Sequence, residues 1–371
     1  MNGFYWIYLA MVGFLLAYEH TSDKQTKRLL YYALSGFLIL LFAVQDNSVS
    51  EDMGEYMRQW TIIPELSLPE LLAHKFEIGY VLLSWLIERL FGSPRLLVAV
   101  VGVLIMVPYT RSFEEETDEP MVAMMAFMAL GFYLSAMIFW RQYVAMAILT
   151  YAYRFIRERK LLPFLVTVLL AMSFHKVAVV FLPLYFLYRV PVTKWLIVSG
   201  VAVAAFLCFL GEPIIRFGIT YIYPAYQNYT LESRGGGTLL ALMWVVVLLG
   251  YWLLRDRMDD PRIRISFQML LTAASIFPLC FTFFWWLRVA LFFRIALVPM
   301  TAHLYTELFQ RKDNRAMVLL ARICPRLHDR IEPMYDAKWF RMATQLMLFA
   351  VLFVWFASEL DGMVYVMAPV Y

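Results

Sequence analysis

The sequence predicts an all-α, polytopic integral membrane protein, on three observations. Of 371 residues, 62% are hydrophobic and only 16% charged, and the mean hydropathy is +0.66. A soluble domain sits nearer half apolar and a quarter charged. Apolar runs of about 18 residues or more, the length that crosses a bilayer as a helix, recur along the chain. Backbone groups in lipid must be paired internally, which leaves helices or a closed barrel, and these runs are too long and too uniformly apolar for barrel strands.

The net charge of +4 belongs to basic connectors and gives no argument for a nucleic-acid partner. The opening "MNGFYWIYLAMVGFLLAY" has neither a basic leader nor a small-residue cleavage site, and reads as a retained helix. Cys208 and Cys280 fall in apolar segments and Cys324 in a basic loop, so no pair suits a disulfide or a metal. One membrane domain is expected over 1–371.

Basic residues near helix ends mark the cytoplasmic side. Four clusters do so: Lys24, Lys27 and Arg28; Arg154, Arg157, Arg159 and Lys160; Arg255, Arg257, Arg262 and Arg264; and the stretch from Arg311 to Lys338. With these inside, a first helix (about 3–19) runs inward and a second (about 29–45) outward. Outer loops then cover about 46–76 and 212–236, and a basic cytoplasmic loop about 309–340. From outside at residue 50 to inside at residue 157 the number of crossings must be odd, yet four apolar stretches intervene. The shortest, about 77–91, opens with a carboxylate and is expected to be re-entrant or half-inserted. The stretch 161–188 is broken by "SFHK", and two short helices, up and then down, return Arg189 and Lys194 to the cytoplasm. Later helices run over about 195–211, 237–254, 265–284, 288–308 and 341–357, which makes about 12 crossings.

This frame puts the polar residues inside apolar sequence on or below one face. "EDMGEYMRQW" at 51–60 carries Asp52, Tyr56 and Trp60 at four-residue spacing, on one side of a short helix, with Arg58 nearby. That is either a carboxylate and aromatic platform for a sugar or an interfacial helix with its aromatic belt. Glu77 opens an apolar helix, where a carboxylate favours the N-terminus; Gly79 removes bulk beside it, so a substrate could approach, and Tyr80 follows. Arg141, next to Gln142, lies between two apolar stretches, and its planar fork suits phosphate or carboxylate unless it only snorkels to the surface. His175 and Lys176 interrupt "AMSFHKVAVV", which argues for a wet or anionic surrounding over idle packing. Arg288 and Arg294, six apart, lie on different faces of one helix, the second roughly 9 Å deeper at 1.5 Å per residue. Tyr221, Tyr223, Tyr226 and Tyr229 in the 212–236 loop fit sugar stacking and a bilayer interface equally. "NYT" at 228–230 matches a glycosylation acceptor too short to carry weight. Walker loops, HExxH, a nucleophile elbow and an Asp-rich metal pair are absent from the sequence.

In order and spacing these motifs resemble the EpsG-like branch of the Wzy polysaccharide polymerases. The resemblance is carried by Asp52-x-x-x-Tyr56, Glu77-x-Gly79-Tyr80, Arg141-Gln142, and "SFHKVAVVFLPLYFLY" at 173–188 with its Ser-x-His, Pro183 and aromatic end. It covers about 45–190; beyond that the match is one of hydropathy, and Ile78 stands where the family usually has Pro. It implies a membrane glycosyltransferase of the bacterial cytoplasmic membrane, its site facing the periplasm or cell exterior. Such enzymes join oligosaccharide repeat units carried on undecaprenyl diphosphate. Membrane lipid and a chain-length regulator protein are candidate partners.

That chemistry needs fixed cations for a leaving diphosphate. Arg141 and Lys176 are the first candidates, then Arg288 and Arg294, with Gln142, Tyr56, Arg58 and Tyr80 as further binding residues. It also needs a base for the acceptor hydroxyl. Asp52, Glu77 and His175 are the candidates, a carboxylate preferred, with His175 orienting. No metal and no cofactor are expected. Two other readings stay open: a transporter or flippase of the same lipid-linked sugar, which broken helices also suit, and a membrane acyltransferase acting on an exported glycan with His175 as base.

Overall fold

The computed structural model describes residues 2–45, 51–222 and 236–367, and every regular element among them is helical. The first two helices, α1 (Asn2–His20) and α2 (Lys24–Ala43), form a hairpin. Asp23 caps α2 by accepting from the Thr26 amide at 2.7 Å. Two short helices, α3 (Glu51–Ile62) and α4 (Leu68–Leu72), precede α5 (Ile78–Phe91). A tight turn leads to α6 (Pro94–Glu116), started by a Ser93 cap and Pro94 in the first turn.

The next apolar stretch is broken. Helices α7 (Pro120–Ala129) and α8 (Phe132–Ile138) meet at 60°. Gly131, at φ 77°, takes the left-handed conformation that the bend needs. α9 (Trp140–Leu149) and α10 (Ala152–Arg157) return, and α11 (Leu161–Met172) rises again. A 3-10 segment over Lys176–Phe181 and α12 (Leu184–Leu187) follow. The longer helices α13 (Lys194–Phe217), α14 (Gly237–Leu254) and α15 (Pro261–Ile276) come next. The chain ends with α16 (Trp286–Arg294), α17 (Leu297–Gln310), α18 (Arg315–Ile323), α19 (Pro325–Ile331) and α20 (Lys338–Met367).

Six of the described helical segments are long and apolar enough to cross a membrane, or up to eight if each bent pair counts as one span. The expectation of about 12 crossings counted shorter pieces as full spans. Leu161–Met172 and Lys176–Leu187 have 12 residues each, roughly 18 Å of helix against a hydrocarbon core of about 30 Å. Two short pieces are found over 161–188, and the second ends against α15: Arg264 lies 5.8 Å from the Tyr188 ring, and Gln268 Nε2 donates to the Leu187 and Val190 carbonyls at 3.0 and 2.7 Å. α5, at 14 residues, is likewise too short to cross at about 21 Å.

All four basic clusters meet at one end of the bundle, where acids from elsewhere in the chain receive them. Arg28 pairs with Glu114 at 2.9 Å, Arg157 with Glu116 at 2.5 Å and Arg262 with Asp118 at 2.9 Å. Arg257 and Arg311 share Glu307 at 3.2 and 3.4 Å, and Arg341 bridges Glu19 at 3.2 Å and Glu119 at 2.6 Å. The candidate site lies at the other end.

Candidate functional site

At the opposite end, α3 presents a buried face of Met53, Tyr56 and Gln59 to the bundle. Tyr56 lies flat on Trp140, centroids 4.7 Å apart and planes 7° apart, with Phe76 and Tyr80 packed around it. It is 3% exposed, so the aromatic half of the expected sugar platform is turned inward. The spacing of Asp52, Tyr56 and Trp60 located a face of α3; that face's large ring meets protein.

The other side of α3 latches the loop before α5. Glu55 accepts a fork from Arg58 at 2.8 and 2.9 Å, a bond from Gln59 at 2.8 Å, and Lys75. Arg58 above all, against partial burial and with Lys75 and Gln59, holds the Glu55 carboxyl down at about 2. His74 Nδ1 accepts from the Phe76 amide at 3.0 Å, so its Nε2 carries the proton and donates to Gln59 Oε1 at 2.9 Å. Burial, then Lys75 and Arg141, push His74 below its ordinary value and favour this neutral form. Arg58, expected to bind substrate, is committed to this latch.

The latch places Phe76, whose ring lies under the Arg141 guanidinium at 4.0 Å. The next residue, Glu77, takes the N-cap position of α5 but does not cap it with its side chain. Its Oε2 instead receives Arg141 Nη1. Its Oε1 accepts the Lys176 amide at 3.1 Å and lies 3.5 Å from His175 Nδ1. Gly79 makes this approach possible: its amide donates to the Ser173 carbonyl at 2.7 Å, and a Cβ there would lie 2.7 Å from that same oxygen and from Ser173 Oγ. The room expected beside Gly79 for a substrate is therefore filled by Ser173, and the glycine serves the junction of α5 with α11.

Arg288 completes the cluster from α16. Its guanidinium is 4.8 Å from the Phe139 ring and 4.7 Å from that of Trp285, its carbonyl accepts Gln142 Nε2 at 2.6 Å, and its Nη2 lies 3.5 Å from Asp52 Oδ2. Residues 236 apart in sequence thus meet. The His175 ring is parallel to Phe292, centroids 6.2 Å apart. Neither of its nitrogens, nor Arg141 Nε, has a well-formed hydrogen bond among the described residues, although all three are buried atoms.

Asp52, Glu77, Arg141, Gln142, His175, the Lys176 amide and Arg288 are brought together. The Lys176 side chain is exposed beside them. Tyr80, 1% exposed, stands behind Tyr56 and Phe76. Arg294 rests over the Phe132 ring at 5.3 Å, at the helix break and not beside Arg288. Tyr223, Tyr226, Tyr229 and the 228–230 tripeptide lie outside the described residues; Tyr221 is exposed. Sequence reasoning missed the aromatic beds Phe76, Phe139, Trp285 and Phe292. Phe139 stands two residues before Arg141 and Trp285 three before Arg288, a cation-near-aromatic signal that was readable.

The EpsG family model matches residues 28–325. The chain belongs to the EpsG family. The match runs well past the 45–190 that carried the motif resemblance, through α16 with Arg288 and Arg294, and omits α1 and α20. No curated protein and no solved structure matches the chain. Family membership with the apolar helical bundle makes this EpsG-family chain a polysaccharide-polymerase-like membrane protein of glycosyltransferase type.

Proposed function

We propose that this chain joins undecaprenyl-diphosphate-linked oligosaccharide repeat units at the outer face of the bacterial cytoplasmic membrane. The observation that carries the reading is the convergence of two arginines and a histidine, with spare nitrogens, on two carboxylates. The basic end supports the orientation, since Lys and Arg concentrate on the cytoplasmic side.

In the proposed reaction the bond between the growing chain's anomeric carbon and the diphosphate oxygen breaks, and its electron pair stays on the diphosphate. The acceptor hydroxyl oxygen of the next lipid-linked unit bonds to that carbon and gives up its proton. Arg141 and Arg288, with Lys176 at the rim, hold the diphosphate and offset its growing charge. Glu77 has both oxygens engaged, so it positions Arg141, His175 and the Lys176 amide. Among the described residues Asp52 has one ion pair, at 3.5 Å, and its side chain is 38% exposed, so it is the carboxylate placed to take the proton. His175 orients the acceptor or a phosphate oxygen through Nε2. Gln142 holds Arg288 by its carbonyl.

A transporter of the same lipid-linked sugar is the second reading, favoured by the 60° break between α7 and α8. Purified protein in liposomes, given repeat units in one leaflet, separates the two. Elongation without translocation is expected; translocation without elongation would overturn the polymerase. In cells, loss of the protein is expected to leave single repeat units and no long chains.

A further inference from the structure

The basic end carries a surface that the proposed reaction does not use. There, α19 and the turn after it, Pro325–Asp336, lie at 98° to Lys338–Val354 of α20. With α20 as the crossing part of this bent pair, the segment at right angles to it runs along the bilayer surface. The sequence through α18 and α19 repeats every four residues: Arg322-Ile323, Arg326-Leu327, Arg330-Ile331.

Two sets of cations divide this region. Arg311 pairs with Asp313 at 2.8 Å and Glu307 at 3.4 Å, and Lys312 and Arg315 pair with Asp336 and Asp256. These fold the unit onto the bundle. Arg322, Arg326 and Arg330 have no ion pair among the described residues; the nearby Asp329 faces His328 at 3.4 Å. Beside them Ile323 is 74% exposed and Leu327 44%, with Val318 and Leu319 also exposed. A guanidinium next to an exposed branched side chain, twice over, with Arg330 beside the half-buried Ile331, complements a phosphate sitting above acyl chains.

We propose that α18 and α19 form an interfacial binding surface for anionic phospholipid headgroups, Arg322, Arg326 and Arg330 taking the phosphates while Ile323 and Leu327 enter the acyl boundary. The surface lies at the end opposite the candidate site, so it stands or falls separately from the proposed reaction. It ties the chain between α17 and α20 to the charge of the leaflet it faces.

The test uses the full chain in nanodiscs of phosphatidylcholine with increasing phosphatidylglycerol. A fluorophore sits at Ile323→Cys, the native cysteines replaced by Ser, and lipids spin-labelled near the headgroup act as quencher. Quenching is expected to rise with the phosphatidylglycerol fraction. In Arg322→Gln/Arg326→Gln/Arg330→Gln the apparent affinity for that lipid is expected to fall roughly ten- to hundredfold. Arg326→Gln alone gives a smaller loss in the same direction should the triple variant fold poorly. Equal quenching in both lipids, quenching unchanged by the substitutions, or a label shielded by a soluble partner and untouched by lipid quencher would each overturn the proposal.

Discussion

Charge is buried at both ends of this bundle, and the two ends treat it differently. At the basic end Glu19 meets Arg341 at 3.2 Å, Gln345 at 3.1 Å and Lys27 at 3.9 Å, while both oxygens of Glu116 receive Arg157 at 2.5 Å. At the site end Glu77 is equally engaged, and both ends hold buried nitrogens without a well-formed hydrogen bond among the described residues, Arg311 Nε and Arg341 Nε at one and Arg141 Nε and the His175 ring at the other; the site end differs in its aromatic beds, Arg141 lying over Phe76 and Arg288 beside Phe139 and Trp285. A buried network of paired acids and arginines fixes a fold, and removing one partner strands a charge. A network with spare donors, held in place by aromatic beds, is preorganised for an anion that arrives later.

The largest expected effect breaks the comparison at the basic end. Arg157→Ala strands Glu116, which is 4% exposed, and is expected to cost about 3–5 kcal/mol of stability, read as a lower thermal midpoint and a poor yield in detergent. At the site end the order reverses. His175→Ala removes one long contact to Glu77, at 3.5 Å, and leaves the Arg141–Glu77 pair in place, so elongation by purified protein is expected to fall on the order of 100-fold with the thermal midpoint nearly unchanged.

Gly79→Ala sharpens the contrast between ligand space and junction. Its new methyl meets Ser173, and the strain is expected to cost about 1–3 kcal/mol while misplacing Glu77 against His175. A variant as stable and active as the parent would restore the substrate-access reading of that glycine.

The smallest effect is at the latch. Glu55 titrates at about 2 in the fold against an ordinary 4.5, so its contribution is fully present above pH 4.5 and is lost as the pH falls toward 2. Because the group is only partly buried and reached by solvent, Glu55→Gln is expected to lower stability by under about 1 kcal/mol. The gap between wild type and variant is expected to persist at pH 4; a gap that closes by pH 4 would mean the Arg58 fork is not formed.

Charged residues in apolar sequence are expensive, and that cost made Glu77, Arg141, His175 and Arg288 legible from the sequence alone. Helical class was legible for the same reason. The crossing count was not. The chain breaks at Leu130–Gly131 without a proline to announce it, and the two short helices read on either side of "SFHK" were counted as crossings although each has only 12 residues. Nor was the direction of Tyr56: four-residue spacing defines a face of α3 but not what covers it, and Trp140 comes from a distant helix. In a chain that is 17% aromatic, Phe76 and Phe292 carried no contrast as beds for a cation and an imidazole. The pairing of the acids at 114–119 with arginines up to 222 residues away is invisible in one dimension.

The central claim is that Arg141, held by Glu77 and Phe76, grips the diphosphate of the lipid-linked donor. Gel profiling of chains made in vitro by purified wild type and Arg141→Ala, from the same lipid-linked units, tests it most directly. The account predicts a ladder for wild type and, for a variant that still folds, single units with chain growth down on the order of 100- to 1000-fold. A full-length ladder from Arg141→Ala would contradict it.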